Sequence, residues 1–262
     1  MLDKRKGEPL TKHDAILTSG PIRGTGDRLF RVIAQRLGTA IMSGTYAPGQ
    51  VLSGEVAFSE ALAVSRSAYR EAIQVLAAKG LVESRRKAGT RVLPRKRWNL
   101  FDPDVLAWAF SGEPDHQLIR ELFDLRAIVE PGAARLAAQR RRPEHLQEIE
   151  AALDAMARHT LATESGREAD SIFHEAILRA TGNDALLLLG GGIGAAVTWT
   201  TAFKQRDRAL PRDPIPEHEL VYRAIAAGDP ERAEQAMRAL VDLALADTRQ
   251  AMDNPGEEMR RG

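Results

Sequence analysis

Strand-like segments occur at one place in this sequence of 262 residues, and helical spacing dominates the rest. The two segments, 81–83 and 90–92, are short and flank a turn, 84–89, that holds three basic residues and a glycine. Elsewhere apolar residues recur at intervals of three and four, the period of a helix with one buried face. A chain with a single hairpin cannot form a layered sheet, so the sequence predicts a mostly α fold.

Three helices are predicted before the hairpin. The first begins near Asp27, whose side chain can accept hydrogen bonds from first-turn amides, and it ends at Gly44. Helices 55–62 and 66–79 follow, and Gly80 suits the left-handed position after the longer one. A helix, a helix–turn–helix pair and a basic hairpin are typical of a winged helix-turn-helix, which reads DNA in the major groove. We therefore predict such a domain over 25–93, after a flexible lead at 1–24.

The near-neutral total of 37 Lys and Arg against 36 Asp and Glu hides a division between the two halves. Residues 1–97 contain 18 basic against 8 acidic residues, whereas 98–262 contain 19 against 28. This asymmetry points to a polyanionic partner for the first half. A basic tail that only aids solubility is the alternative, but the first 14 residues contribute a net charge of just +1.

The helix at 66–79 carries the candidate DNA contacts. Arg66 and Arg70 are four residues apart, so both project from one side of its first two turns. An arginine there can bind guanine and a second can bind phosphate, although a solvated charged face is the usual alternative. The predicted DNA contacts are Arg66, Ser67, Arg70 and Gln74 on the helix, with Arg86, Lys87 and Gly89 in the wing.

The second half is predicted to be an all-α antiparallel helical bundle over 105–253, between a proline-containing linker at 94–104 and a flexible tail at 254–262. The glycine run 190–194 has neither phosphate-loop spacing nor a preceding strand, so we expect a helix break or a close helix approach there. The predicted helices lie near 104–110, 115–140, 143–160, 166–181, 184–206, 216–227 and 229–252.

Asp170 and His174 form the candidate metal site of this half. Their spacing of four residues places a carboxylate and an imidazole side by side on one helical face, and His218 on a later helix is a possible third ligand. A hydrogen bond between the two helical side chains is the simpler explanation. Three ligands and an open position would also suit a metal-dependent enzyme acting on a small acid, but no general base or nucleophile adjoins them, so we predict no enzyme.

Composition excludes several other classes. The chain has no cysteine, which removes disulfides and thiol catalysis. No window approaches 18 uninterrupted apolar residues and the first residues contain no apolar core of a signal peptide, so we expect no membrane partner and a cytoplasmic location.

The first half resembles the GntR family of bacterial transcription regulators. The resemblance rests on 41–49, 64–72, 76–82 and 88–92, and it implies a homodimer that binds a palindromic operator in double-stranded DNA. One departure is Val56, which stands where the family usually has an arginine that touches DNA, and Gly54 replaces the usual serine cap.

The second half is similar to the FCD ligand-binding domain of the fatty-acid-regulator-like branch of that family. This resemblance rests on 122–131, 170–174, 181–183, 217–218 and 224–229. It implies a helical bundle that holds Zn²⁺ or Ni²⁺ through one Asp and three His, with an arginine for a carboxylate effector. Carried over, it gives the metal ligands Asp170, His174 and His218 and the effector-binding residue Arg126, and it leaves Leu240 at the fourth ligand position.

These resemblances imply a transcription repressor that a small carboxylate releases from its operator. Residues 98–108 are similar to the linker of regulators of sugar-acid catabolism, which implies an effector such as galactonate. Lactate or a dicarboxylate remains open, and so do two other classes: a metal-dependent enzyme and an architectural DNA binder without an effector.

Overall fold

The computed structural model describes residues 27–85, 88–112, 114–206 and 212–253, which fall into one unit ending at Pro114 and another beginning at Asp115. The predicted lead at 1–24, the tail at 254–262 and the wing residues Arg86 and Lys87 lie outside the described residues. The helices of the first unit are α1 (Asp27–Met42), α2 (Glu55–Leu62), α3 (Arg66–Ala78) and α4 (Pro103–Phe110), and its strands are β1 (Val82–Arg85) and β2 (Gly89–Val92). The second unit contains α5 (His116–Arg140), α6 (Pro143–His159), α7 (Glu164–Ala180), α8 (Asp184–Leu187), α9 (Gly190–Lys204), α10 (Ile215–Ala227) and α11 (Pro230–Asp253).

The first unit is a winged helix-turn-helix, as predicted. Helix α3 starts at an N-cap, Ser65, whose side chain accepts a hydrogen bond from the Ala68 amide at 3.2 Å. Gly80 ends this segment with a φ of +73°, which glycine adopts without steric cost. The apolar faces of α1 and α3 pack on each other, and their buried core includes Ile33, Leu37, Tyr69 and Leu76.

The hairpin after α3 is antiparallel, with Val82 opposite Val92 and Arg85 opposite Gly89. Val51 forms an isolated bridge to Arg91, so the segment before α2 lies along the outer edge of β2. At one end of the hairpin Val82 and Val92 are buried and β1 packs on α3, whereas Arg85 and Gly89 at the other end are exposed.

The first unit extends further than the sequence indicated. We predicted a linker at 94–104 followed by a helix of the second domain, but α4 packs on α1 and belongs to the first unit. The Trp108 ring lies where a side chain on Gly38 would be, so only glycine at that position of α1 lets the two helices approach. A helical pattern does not indicate which neighbour its apolar face will meet, and this explains the displaced boundary.

The second unit is an all-helical bundle. Its long helix α5 packs extensively on α11, while α7 packs on α6 and on α9. Helix α10 lies against α5, α6 and α11, so it reaches the interior next to α5 and completes the enclosure of the site described below.

The predicted helix 184–206 is interrupted at Leu188–Leu189, between α8 and α9. Four apolar leucines followed by glycines look continuous in sequence, yet α8 is a single turn capped by Asn183. Gly194 lies so close to Ser171 of α7 that a larger side chain at position 194 would displace Ser171, which confirms the predicted close approach.

Within the described residues, the stretch 184–204 is long and apolar enough to cross a membrane, which we did not expect. Half of this stretch is buried in the bundle, as in a core helix.

Candidate functional site

Helices α7 and α10 bring the three predicted metal ligands together. Asp170 and His174 lie four residues apart on the inner face of α7, and His218 comes from the first turn of α10. One oxygen of Asp170, Oδ1, is 3.1 Å from His218 Nε2 and 3.5 Å from His174 Nε2. All three residues are 3% exposed, and the three candidate donor atoms lie within 4.8 Å of one another.

Both imidazoles are oriented by partners on their other nitrogen. His218 Nδ1 is 2.7 Å from the carbonyl oxygen of Pro214, and His174 Nδ1 is 2.5 Å from Glu130 Oε2. The carbonyl oxygen of Pro214 can only accept, so His218 Nδ1 carries the proton of that contact, while His174 Nδ1 and Glu130 Oε2 lie within ion-pair distance. Partners of this kind on Nδ1 commonly fix the rings of metal-binding histidines, and here they leave the Nε2 atoms on the side of Asp170.

Glu130 links this cluster to the predicted effector arginine. Arg126 Nε donates to Glu130 Oε1 at 2.5 Å on the inner face of α5, and both side chains are buried. Burial alone would raise the pKa of Glu130, but the charges of Arg126 and His174 lower it to about 2. Burial likewise opposes ionisation of Asp170, yet hydrogen bonds from His174 and His218 hold the pKa of that carboxyl below its usual range. Both groups are thus anionic at neutral pH.

The pKa of His174 is shifted in the opposite direction, upward. Burial lowers the pKa of an imidazole, but the carboxylates of Glu130 and Asp170 overcome this effect and raise the pKa of His174 to about 9. In the absence of a metal ion this ring therefore carries a proton at neutral pH. A metal ion at Nε2 must displace that proton.

The donor set fits a divalent metal ion. Two ligand atoms that are each about 2.1 Å from one ion lie about 3.0–3.4 Å apart, close to the 3.1 and 3.5 Å separations from Asp170. One carboxylate oxygen and two imidazole nitrogens suit Zn²⁺ or Ni²⁺. Leu240 of α11 is buried and lines the same cavity, so the residue at the expected fourth position offers no ligand atom.

A small cavity of about 20 Å³ lies beside the cluster. It has room for about one water molecule and is too small for an organic acid in this conformation. Besides the predicted residues its lining includes Lys204, Arg212 and Pro214. These three residues were not predicted from the sequence as part of the site, and neither was the role of Glu130. The spacing of Arg126 and Glu130 on one helical face could have indicated their pairing, but Lys204 and Arg212 follow no motif.

The predicted DNA contacts on α3 lie together on one face. Arg66, Ser67, Arg70 and Gln74 are exposed, while the alternate face of the helix is buried in the core. Neither arginine forms an ion pair with any residue that the structure describes. In the wing, Gly89 is exposed and has a φ of +78°, a left-handed conformation that places it at the tight end of the hairpin. Val56 on α2 is exposed as well.

A winged helix-turn-helix joined to an all-helical unit with a buried polar site defines a class of protein, the ligand-responsive transcription regulator. Known proteins support this assignment. Residues 29–92 match the bacterial regulatory proteins of the gntR family, and residues 121–243 match the FCD domain. The chain belongs to the GntR family and carries an FCD domain as its second unit.

Among its relatives, the chain is 36% identical over 211 residues to the galactonate operon transcriptional repressor of Escherichia coli K12, an alignment covering 78% of this chain and 90% of the relative. It is 32% identical over 208 residues to the transcriptional regulator LutR of Bacillus subtilis, covering 76% and 91%. A solved Listeria monocytogenes structure, titled for control of the agr system by Lar, has the same fold with a TM-score of 0.65 at 17% identity, covering 87% of this chain and 99% of that one.

These relatives are transcription regulators, so the prediction of a regulator rather than an enzyme is confirmed. The cluster of Asp170, His174 and His218 accordingly belongs to a ligand-binding domain.

Proposed function

We propose that this protein is a homodimeric, cytoplasmic repressor that binds a palindromic operator and is released from it by a small carboxylate, a sugar acid such as galactonate. The observation that carries the proposal is the buried cluster of Asp170, His174 and His218 beside Arg126, inside a GntR-family chain. The similarity to a galactonate operon repressor supports the sugar-acid class and the repressor mode.

On the DNA side, the exposed face of α3 supplies the contacts. Arg66 lies at the first residue of the helix and Arg70 one turn later, so both can reach a groove that the helix enters. Ser67 and Gln74 flank them as hydrogen-bonding residues, and the wing, with Arg86, Lys87 and Gly89, contacts the backbone or the minor groove. Valine at position 56 removes one basic contact, so the operator differs from that of family members with arginine there.

On the sensor side, Asp170, His174 and His218 would hold a divalent metal ion, Zn²⁺ or Ni²⁺. When bound, the ion supplies a positive charge and open coordination positions for carboxylate oxygens. Arg126 contributes its terminal nitrogens to the same carboxylate, since its Nε is already occupied by Glu130. Glu130 and Pro214 keep the two imidazoles in the ligating tautomer.

Effector binding must change this unit because the cavity of about 20 Å³ cannot admit a sugar acid unaltered. A ligand that binds only the expanded conformation shifts the population toward it, by about 1.4 kcal/mol for each tenfold difference in affinity between the two conformations. Release from DNA follows if the expanded conformation is the one with the lower operator affinity.

The DNA half of the proposal is tested with a labelled duplex from the promoter region next to the gene, measured by fluorescence anisotropy. Arg66→Ala and Arg70→Ala should each weaken binding by about 1–3 kcal/mol where the side chain contacts bases, and by less where it contacts phosphate. Arg238→Ala, an exposed arginine of α11, is the matched control. If both α3 variants bind the duplex with unchanged affinity, α3 is not the helix that contacts DNA.

The sensor half is tested by adding galactonate to the zinc-loaded protein–DNA complex. Galactonate should release the DNA, and a chelator should abolish this response. His174→Ala should bind DNA normally but fail to respond, whereas His159→Ala, an exposed histidine of α6, should respond fully. A normal response of His174→Ala would exclude a role for the cluster.

A further inference from the structure

Three cationic side chains line the small cavity, and two of them already have carboxylate partners. Arg126 is paired with Glu130, while Arg212 Nη1 is 2.8 Å from Glu217 and its Nε is 3.1 Å from Asp247. Lys204, the last residue of α9, lines the same cavity and has no ion pair or hydrogen bond within the described ranges.

Lys204 is nevertheless buried, with 8% of its surface exposed. Burial lowers the pKa of its ammonium to about 8, an effect that Asp170 partly offsets and Arg126 increases, so the group is still mainly protonated at neutral pH. An ammonium group on a largely buried side chain without a carboxylate partner is less favourable than one in water or in an ion pair. A side chain kept in this state is thus ready to bind an anion from outside the chain.

We propose that Lys204 binds a second carboxylate of the effector, and that the site therefore selects small dicarboxylic acids, including sugar diacids. This inference rests on the proposed function, in which Arg126 and the Asp170–His174–His218 cluster take the first carboxylate. A hydroxyl at the other end of the acid would satisfy a hydrogen bond of Lys204 but would leave its charge uncompensated. A carboxylate satisfies both.

Galactonate and galactarate form a matched pair of probes because they share a six-carbon hydroxylated chain and differ in the second carboxylate of galactarate. We expect isothermal titration of the zinc-loaded full-length protein to give about 10- to 100-fold tighter binding of galactarate, the range for a buried hydrogen bond to a charged group. Lys204→Met should remove this preference by weakening galactarate alone, and Lys204→Arg should retain most of it. Lys96→Met, at an exposed lysine of the first unit, controls for net charge.

The ligand-free melting temperature provides an independent measurement. Because methionine replaces an unpaired buried charge with an apolar chain of similar length, Lys204→Met should melt at or above the temperature of the unchanged protein. A clear decrease would show that Lys204 has a structural partner and would overturn the inference.

Other outcomes separate the inference from the proposed function. If galactonate binds as tightly as galactarate, or if Lys204→Met weakens both acids equally, the inference is refuted while the sugar-acid sensor stands. If neither acid binds to protein that recognises its operator, the sugar-acid class itself fails and the inference fails with it.

Discussion

At the scale of single residues, one continuous chain of polar contacts crosses the interior of the second unit. It runs from Arg126 through Glu130 and His174 to Asp170 and ends at His218. Each member is buried and each has a partner on both sides, except at the ends of the chain. Such a network fixes the orientation of its members, so the candidate metal ligands are positioned before any ion arrives.

Leu240 provides a direct test of the cluster as a metal site. Leu240→His would place a third imidazole in the same cavity, so we expect Zn²⁺ affinity at pH 7.5 to increase by about 100-fold, since even the outer partners of ligands contribute 10- to 100-fold. Competition with a zinc-binding dye measures the change. Leu243→His adds a histidine to an exposed position of the same helix and should leave the affinity unchanged. Equal affinities of the two variants would contradict the site.

Glu130 makes the stability of the metal-free protein depend on acid pH. Its pKa is about 2 in the folded protein against an ordinary 4.5, so its contribution is complete above pH 4.5 and decreases as the pH falls toward 2. Between pH 6 and pH 3 the free energy of unfolding should therefore decrease by about 2 kcal/mol more in the unchanged protein than in Glu130→Gln.

Urea denaturation in the presence of chelator measures that difference. Glu121→Gln, at an exposed position of α5, should behave like the unchanged protein. Parallel pH profiles for Glu130→Gln and Glu121→Gln would mean that Glu130 is not held ionised by Arg126 and His174.

At the scale of elements, the tight turn between α6 and α7 determines where α7 begins. Thr160 adopts a positive φ of 57°, and the missing side chain of Gly166 leaves space for the Thr160 carbonyl oxygen. Because Asp170 and His174 lie one and two turns further along α7, this contact sets the depth of both candidate ligands in the bundle.

Two glycines in helices should consequently respond in opposite ways to alanine. Gly166→Ala places a methyl group against backbone that cannot rotate away, so we expect a loss of about 3 kcal/mol in the free energy of unfolding. A methyl group at position 191 of α9 would meet no atom within 4 Å. Gly191→Ala should therefore increase the free energy of unfolding by up to about 1 kcal/mol through its higher helix propensity. Thermal and urea unfolding report both, and a stable Gly166→Ala protein would show that the turn can relax.

Most helix boundaries could be predicted from the sequence because caps and apolar stripes are local signals. The 55–62 helix agrees at both ends, and Gly80 has the left-handed conformation expected of it. The position of the break at Leu188 could not be predicted, because the leucines before it favour helix and only the glycine run 190–194 indicated a break nearby. The packing of α4 on α1 depends on Trp108 meeting Gly38, which is a contact between distant segments.

The candidate site could likewise be predicted from the sequence only in part. The spacing of Asp170 and His174 predicts their proximity, since it depends only on helix geometry. The approach of His218 across 48 positions of sequence was implied by the family resemblance and by nothing in the local pattern. Lys204 could not be identified at all, because its burial and its place beside the cavity depend on tertiary packing that no local pattern reports.

At the scale of the whole molecule, the division of charge corresponds to the two units. The basic first unit of one chain presents a single recognition helix, α3, whereas a palindromic operator contains two equivalent half-sites. We expect sedimentation at micromolar concentration to give about twice the 28.7 kDa chain mass, and deletion of one half-site to weaken binding strongly. A monomer that binds single half-sites as tightly as the palindrome would contradict a dimer.

The cavity of about 20 Å³ also has a kinetic consequence. The proposed effector, an acid with a dozen heavy atoms, is larger than a space of one water molecule, so its binding would require the helices to separate first. The observed rate of association then reaches a plateau at high acid concentration, where it equals the opening rate. If the proposed acid is the effector, the opening rate of the helices, and not the acid concentration, then limits how quickly the protein can be released from DNA.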